Sequence, residues 1–255
     1  MALQIETIPC LSDNYAFLAH DPDTGQTAAI DVPDAAPILA MLEENDWTLS
    51  HVLLTHHHAD HVQGLEALLD AAPAKVVGAA ADAHRLPPLD ISVADGDSII
   101  IGNLIAEVIE VPGHTVGHIA FYFPESAALF SADSLMALGC GRVFEGTMDQ
   151  MYDSLSRLAA LPSDTTVYSG HEYTRANAKF ALTIDPANAA LTSRAAAIDA
   201  AREKGHPTVP SKLSEELATN PFLRASDPDI QAHLGMVGAD PAKVFAEIRG
   251  RKDRF

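Results

Sequence analysis

Two cysteines, Cys10 and Cys140, are all that the 255 residues contain. That is too few for a disulfide framework and suits a reducing compartment. Cations are scarce as well: 16 Lys and Arg against 35 Asp and Glu leave a formal charge of −19, which argues against a general affinity for nucleic acid or anionic membrane. No apolar run approaches the roughly 20 residues needed to span a bilayer. The opening MALQIETIPC has no basic start followed by an apolar stretch, so no secretion signal is expected. No G-x-S-x-G elbow offers a serine nucleophile, and no repeat or low-complexity tract is visible. These absences set the expectations of a cytoplasmic protein, with no nucleic-acid or membrane partner and monomer as the default state.

What is present is globular. Apolar residues make up 47%, and the length allows one large domain or a main domain with a smaller one. The first two thirds read as mixed α/β. LQIETIPCL, NYAFLAH, TAAIDV, SHVLLTH, KVVGAA, DSIIIGNLIAEVIEV, HIAFYFP, AALFSAD and TTVYSGHE have strand character, while DAAPILAMLEEN, HVQGLEALLDAAP and residues 149–161 carry apolar residues at helical spacing. Beyond about residue 174 strands are no longer expected. That part is alanine-rich, with Asp-Pro pairs at 185–186, 227–228 and 240–241 that read as helix starts. A domain boundary is placed near 172–176.

The segment Thr55-His56-His57-His58-Ala59-Asp60-His61 has the residue types and spacing of a metal site. Side chains alternate along an extended segment, so His56 and His58 point one way and His57 elsewhere. Asp60 and His61, at the turn into the next helix, face a second point nearby. Two imidazoles aimed at one place and an Asp-His pair beside it suggest two metals. Further donors stand at the ends of later strands: His114 and His118 in EVPGHTVGH, Asp133 in LFSADS and His171 in VYSGHEY. Strand ends are where α/β proteins build sites, and a carboxylate such as Asp133 can bridge two cations.

In order and spacing, THHHADH, PGHTVGH, the FSADS aspartate and SGHEYT resemble the metallo-β-lactamase superfamily. The resemblance implies an α/β fold, an αββα sandwich with a binuclear site at one edge. It implies that His56, His58 and His114 bind one metal and Asp60, His61 and His171 the other, with Asp133 between them. His118 matches a non-ligand position and is expected to support the site. One departure stands out: the aspartate segment commonly reads TGD, and here it is Ser131-Ala132-Asp133, which is expected to affect only the turn.

Within that superfamily, GCGRVFEGT (139–147), SGHEYT (169–174), NPFLR (220–224) and KDRF (252–255) look like glyoxalase II, the hydroxyacylglutathione hydrolases. The likeness covers nearly the whole chain. It implies a metal-binding catalytic domain over 1–173 and a smaller all-helical domain over 174–255 that contributes to a glutathione site. The terminal IRGRKDRF sets Arg249, Arg251, Lys252 and Arg254 into an otherwise acidic chain. Arg251 and Arg254 read as a solvated helix end. By resemblance, Arg249 and Lys252, with Arg142 and Tyr173, hold the glycyl carboxylate of glutathione, and Phe144 and His171 adjoin the substrate. The Arg142-Val143-Phe144 version of the glycine-rich segment lacks the hydroxyl found in Lys-x-Tyr members.

The implied reaction is hydrolysis of S-(2-hydroxyacyl)glutathione thioesters, chiefly S-D-lactoylglutathione, to glutathione and D-lactate in methylglyoxal detoxification. A hydroxide bridging two divalent metal ions would attack, with Asp60 orienting it. Zinc is the expected metal, with iron or manganese compatible with the same donors. The alternatives are a persulfide dioxygenase, a broader thioesterase or lactonase of the same superfamily, and a non-catalytic metal-binding scaffold. Roles for His57 and Cys140 are left open.

Overall fold

The computed structural model describes residues 2–255, which form two compact units. The first comprises residues up to Glu110 together with Val116–Ser131; the second comprises Val111–Thr115 and Ala132–Phe255.

The first unit holds β1 (Gln4–Cys10), β2 (Asn14–Asp21), β3 (Gln26–Ile30), α1 (Ala35–Asn45), β4 (Thr48–Leu53), α2 (Ala59–Val62), α3 (Leu65–Ala71), β5 (Lys75–Ala79), β6 (Ile91–Val93), β7 (Ser98–Ile101), β8 (Leu104–Glu110), β9 (Ile119–Phe123) and β10 (Ala128–Ala132). Strands β1 to β6 lie in sequence order in one sheet. It is antiparallel from β1 to β3 and parallel from β3 to β6. Strands β7 to β10 form an antiparallel meander. The two sheets meet through aromatic side chains: Phe17 of β2 lies 5.6 Å from Phe130 of β10, ring to ring, and Phe130 lies 5.8 Å from Phe123 of β9. Helix α1 begins where the Asp34 carboxylate accepts from Ala36 N–H, a standard N-cap. It buries Ile38 and Leu42 in a cluster with Ile8, Leu18, Val52, Leu65 and Leu68.

The expected single helix after the histidines is instead two short ones. The Gly64 N–H turns aside to the Val32 carbonyl (2.9 Å), and Gly64 then becomes the cap of α3. The effect is to keep α2 to one turn, so that Asp60 and His61 sit at the start of a helix.

The second unit holds β11 (Leu135–Met136), β12 (Gly139–Cys140), α4 (Met148–Ala159), β13 (Thr166–Ser169), α5 (Thr174–Ile184), α6 (Ala189–Glu203), β14 (Ser211–Lys212), α7 (Leu213–Thr219), α8 (Pro228–Leu234) and α9 (Pro241–Asp253). Helix α4 opens on a reciprocal Thr147–Gln150 capping box and buries Met151, Leu155 and Leu158. Asp227 and Asp240 cap α8 and α9, each followed by proline. Asp185-Pro186 differs: Asp185 ends α5, and Asn188 caps α6. The Asp185 carboxylate takes an ion pair from Arg224, so it is not available as a cap. Strands do not stop at 174, because β14 pairs antiparallel with β13.

Candidate active site

In the first unit the histidine segment follows β4 without a ladder of its own. It is held by side chains and by the Ile119 N–H, which donates to the Thr55 carbonyl at 3.0 Å. The Asp31 carboxylate accepts from Thr55 N–H (2.8 Å), Thr55 Oγ1 (2.7 Å) and His61 Nδ1 (2.8 Å). Asp31 is the acceptor in all three, so His61 donates from Nδ1 and presents Nε2. Asp31, His56 and His61 lie close enough for their donor atoms to surround one ion, but three hydrogen bonds already engage Asp31. It is a carboxylate that orients a histidine.

His56 Nε2 and His58 Nδ1 lie 3.1 Å apart. Asp60 receives Asn14 Nδ2 on both its backbone oxygen (3.1 Å) and Oδ2 (3.0 Å), and its Oδ2 lies 3.8 Å from His61 Nε2. His118 is fully buried, stacks on His56 (centroids 4.6 Å, interplanar 11°) and meets the Ile119 carbonyl at Nδ1. His57 turns away from this group toward Asp82, at 2.9 Å.

In the second unit Asp133, 7% exposed, lies between two imidazoles. Its Oδ2 is 3.4 Å from His114 Nε2, and its Oδ1 is 3.3 Å from His171 Nε2. These separations are long for N–H···O bonds. They match the edge, about 3.4 Å, of a tetrahedron with metal–ligand distances of about 2.1 Å. The donor set thus fits a divalent metal on each side of one carboxylate. His114 Nδ1 meets the Arg142 carbonyl at 2.8 Å, which fixes its Nε2 toward Asp133. Gly141 packs beneath: a Cβ there would stand 2.0 Å from the Asp133 carbonyl oxygen.

Ala132, which precedes this aspartate, has φ +40°, a left-handed conformation that costs an L-residue roughly 1–2 kcal/mol and glycine nothing. The expected turn effect is therefore a strained alanine where the related pattern has glycine. Ala132→Gly is expected to raise the melting temperature by about 2 °C with kcat unchanged, read by thermal denaturation. A lowered melting temperature would contradict this.

The remaining residues singled out in the sequence also lie in the second unit. Tyr173 stacks on His171 (4.6 Å, interplanar 4°). Phe144, exposed, lies 5.3 Å from the His114 ring, and the Arg142 guanidinium lies over Phe144. Arg142 is 63% exposed and faces Asp253 at 3.6 Å. Lys252 Nζ rests 5.1 Å from the Phe180 ring centre and 5.3 Å from that of Phe255, and it donates to the Ala176 carbonyl. Burial, helped by repulsion from Arg249 and opposed by Cys140, lowers the Lys252 pKa to about 8.

Arg249 stands apart from these two cations. It is 3% exposed, donates to the Cys140 carbonyl (2.9 Å) and to Asp253 (3.0 Å), and lies over Phe222. Cys140 packs in the same interior, where burial raises its thiol pKa against the opposing pull of Arg249, which disfavours the thiolate. The NPFLR segment supports this floor. Asn220 Nδ2 holds the Met136 and Gly139 carbonyls and the fully buried Glu216 carboxylate. Glu216 is paired with Arg194 and accepts from Leu138 N–H.

Asp31, Asn14 and Asp82 are site residues that motif spacing does not reveal. The available signal for Asp31 was an aspartate closing a strand immediately before Val-Pro.

Two family models cover most of the chain. One, described as metallo-beta-lactamase superfamily, matches residues 23–171, and one described as hydroxyacylglutathione hydrolase C-terminus matches residues 172–255. The sequence is 65% identical over 255 residues to a hydroxyacylglutathione hydrolase of Ruegeria pomeroyi, covering 100% of both chains. It is 54% identical over 253 residues to one from Methylococcus capsulatus, covering 99% of each. The crystal structure of ETHE1 from Myxococcus xanthus superposes with a TM-score of 0.64 at 28% identity, covering 99% of this chain and 98% of that one. The BLEG-1 B3 metallo-beta-lactamase gives 0.67 at 22% identity, over 86% and 99%, a likeness of fold.

Proposed function

The chain belongs to the hydroxyacylglutathione hydrolase family of the metallo-beta-lactamase superfamily, and on that basis we propose that it hydrolyses S-(2-hydroxyacyl)glutathione thioesters. S-D-lactoylglutathione would be the chief substrate, giving glutathione and D-lactate and so completing the removal of methylglyoxal. The observation that carries this is Asp133, each of whose carboxylate oxygens faces an imidazole Nε2 at the spacing of shared metal ligands. His56, His58 and His114 would hold one cation and Asp60, His61 and His171 the other. Zinc is proposed, and iron or manganese would suit the same nitrogen and oxygen donors. When bound, such a pair supplies water acidic enough to ionise near neutral pH and an electrophilic partner for the thioester carbonyl.

The chain's own residues do the rest. Asn14 fixes one oxygen of Asp60, so the carboxylate keeps a set direction and can orient the attacking water. Asp31 fixes His61, and His118 backs His56 by stacking. A thiol of pKa about 8.5 leaves readily as thiolate, so no side chain need act as a general acid. Residues 1–173 would thus carry the chemistry, and residues 174–255 would help to hold glutathione. Lys252 and Arg142 would take its glycyl carboxylate. Arg249 would add positive charge from beneath, and Tyr173, His171 and Phe144 would line the peptide's path.

Lys252 gives this a test. Its charged form binds a carboxylate and its neutral form does not. With the pKa lowered to about 8 by burial, the charged form dominates below that pH and disappears above it. KM for S-D-lactoylglutathione is therefore expected to rise above pH 8 while kcat holds, and Lys252→Arg should remove the rise. At pH 7, Lys252→Ala should raise KM about tenfold and leave kcat within about twofold. An unchanged KM in Lys252→Ala would contradict the substrate contact.

A further inference from the structure

His57 stands between two proposed ligands, yet its ring goes elsewhere. Its Nδ1 lies 2.9 Å from Asp82 Oδ2, and its ring meets that of His58 edge-on at 5.0 Å. Asp82 ends the single turn Ala80–Asp82 that follows β5 and is fully buried. Its other oxygen, Oδ1, receives Arg85 Nε at 2.7 Å and Nη2 at 2.5 Å. Its backbone carbonyl closes the turn by accepting from Arg85 and Leu86. With Arg85 donating to its other oxygen, Asp82 serves as an acceptor on both oxygens, so His57 donates from Nδ1.

A third segment closes on the same carboxylate. Gly117 packs so tightly that a Cβ there would stand 2.5 Å from Asp82 Cγ. Gly117 adjoins His118, whose ring stacks on His56. Asp82 is therefore the point where the histidine segment, the turn after β5 and the segment before β9 meet. No strand ladder restrains residues 55–58. In its place Asp31 and the Ile119 N–H, which donates to the Thr55 carbonyl, hold the segment at Thr55, and Asp82 holds it between His56 and His58.

We propose that Asp82 is a positioning residue for the metal site. By accepting from His57 Nδ1 while clamped by Arg85 and Gly117, it fixes the backbone between His56 and His58, so that their nitrogens converge at 3.1 Å. His57 is then a tether rather than a ligand or a base. The inference rests on the metal reading given above, and its test is metal retention rather than turnover.

Four proteins would be loaded with zinc and challenged with a chromogenic chelator: wild type, His57→Ala, His57→Asn and Asp82→Asn. Asparagine carries its Nδ2 where histidine carries Nδ1, so His57→Asn preserves the donor to Asp82. His57→Ala and Asp82→Asn are expected to release zinc at about tenfold lower chelator concentration than wild type, the scale seen when a partner behind a metal ligand is removed. His57→Asn should stay within about twofold of wild type. Should Asp82→Asn fail to fold, the alanine and asparagine pair at 57, which removes no buried charge, still decides. A His57→Ala protein retaining zinc as wild type does, or a His57→Asn protein losing it as readily as His57→Ala, would overturn the tether. Wild type holding no zinc at all would overturn the metal reading and this inference with it.

Discussion

Asp133→Asn is expected to lower kcat for S-D-lactoylglutathione about 10³-fold and to cut bound metal from two ions per chain toward one. The substitution keeps the shape of a side chain that is 7% exposed and removes only its charge and one acceptor oxygen. In the wild type those two oxygens face His114 and His171 at 3.4 and 3.3 Å. An amide presents one oxygen and one NH₂, so it can serve one side only. A cation's electrostatic contribution at the reacting carbonyl is worth several kcal/mol, and each 1.36 kcal/mol is a factor of ten in rate. Circular dichroism should stay unchanged, because Gly141 continues to pack beneath the backbone at 133. A variant with full turnover and two metals would remove Asp133 from the bridge.

Asp31→Ala should be the second largest change. The carboxylate accepts three hydrogen bonds, from Thr55 N–H, Thr55 Oγ1 and His61 Nδ1. Its loss leaves three buried donors unmet, at about 1–3 kcal/mol for each group that finds no new partner. It also frees the His61 ring to rotate or change tautomer. Metal affinity is expected to fall about 10–100-fold, and the melting temperature should drop by several degrees. Chelator competition and thermal denaturation read the two effects separately. Wild-type metal affinity in a destabilised protein would show that Asp31 serves the fold alone.

The elements legible in the sequence were those written in local chemistry. A metallo-beta-lactamase domain followed by a helical one is what the family matches bear out. Helix α4 followed from Met151, Leu155 and Leu158 on one face, and α8 and α9 followed from aspartate caps before proline. The histidine run pointed to metal ligands because side-chain alternation is a local rule. What stayed hidden depends on partners far along the chain. Asp185 looked like a cap until Arg224, 39 residues away, claimed its carboxylate. Asp31, Asn14 and Asp82 act across 24 to 46 residues, and no spacing encodes that. Arg249 and Lys252 read alike, yet the fold buries Arg249 and leaves Lys252 half-exposed, a distinction set by which face of α9 meets Phe222 and Cys140.

The most direct measurement is kcat/KM of the zinc-loaded protein on two thioesters, with metal counted on the same sample. One is S-D-lactoylglutathione; the other is S-lactoyl-N-acetylcysteamine, which keeps the reacting group and lacks both glutathione carboxylates. Losing contacts to charged groups worth about 1.5–3 kcal/mol each should cost the truncated substrate about 10²-fold. The expected result is two metal ions per chain and a preference of that size for the glutathione thioester. Equal kcat/KM on the two substrates, or turnover with no bound metal, would contradict the account.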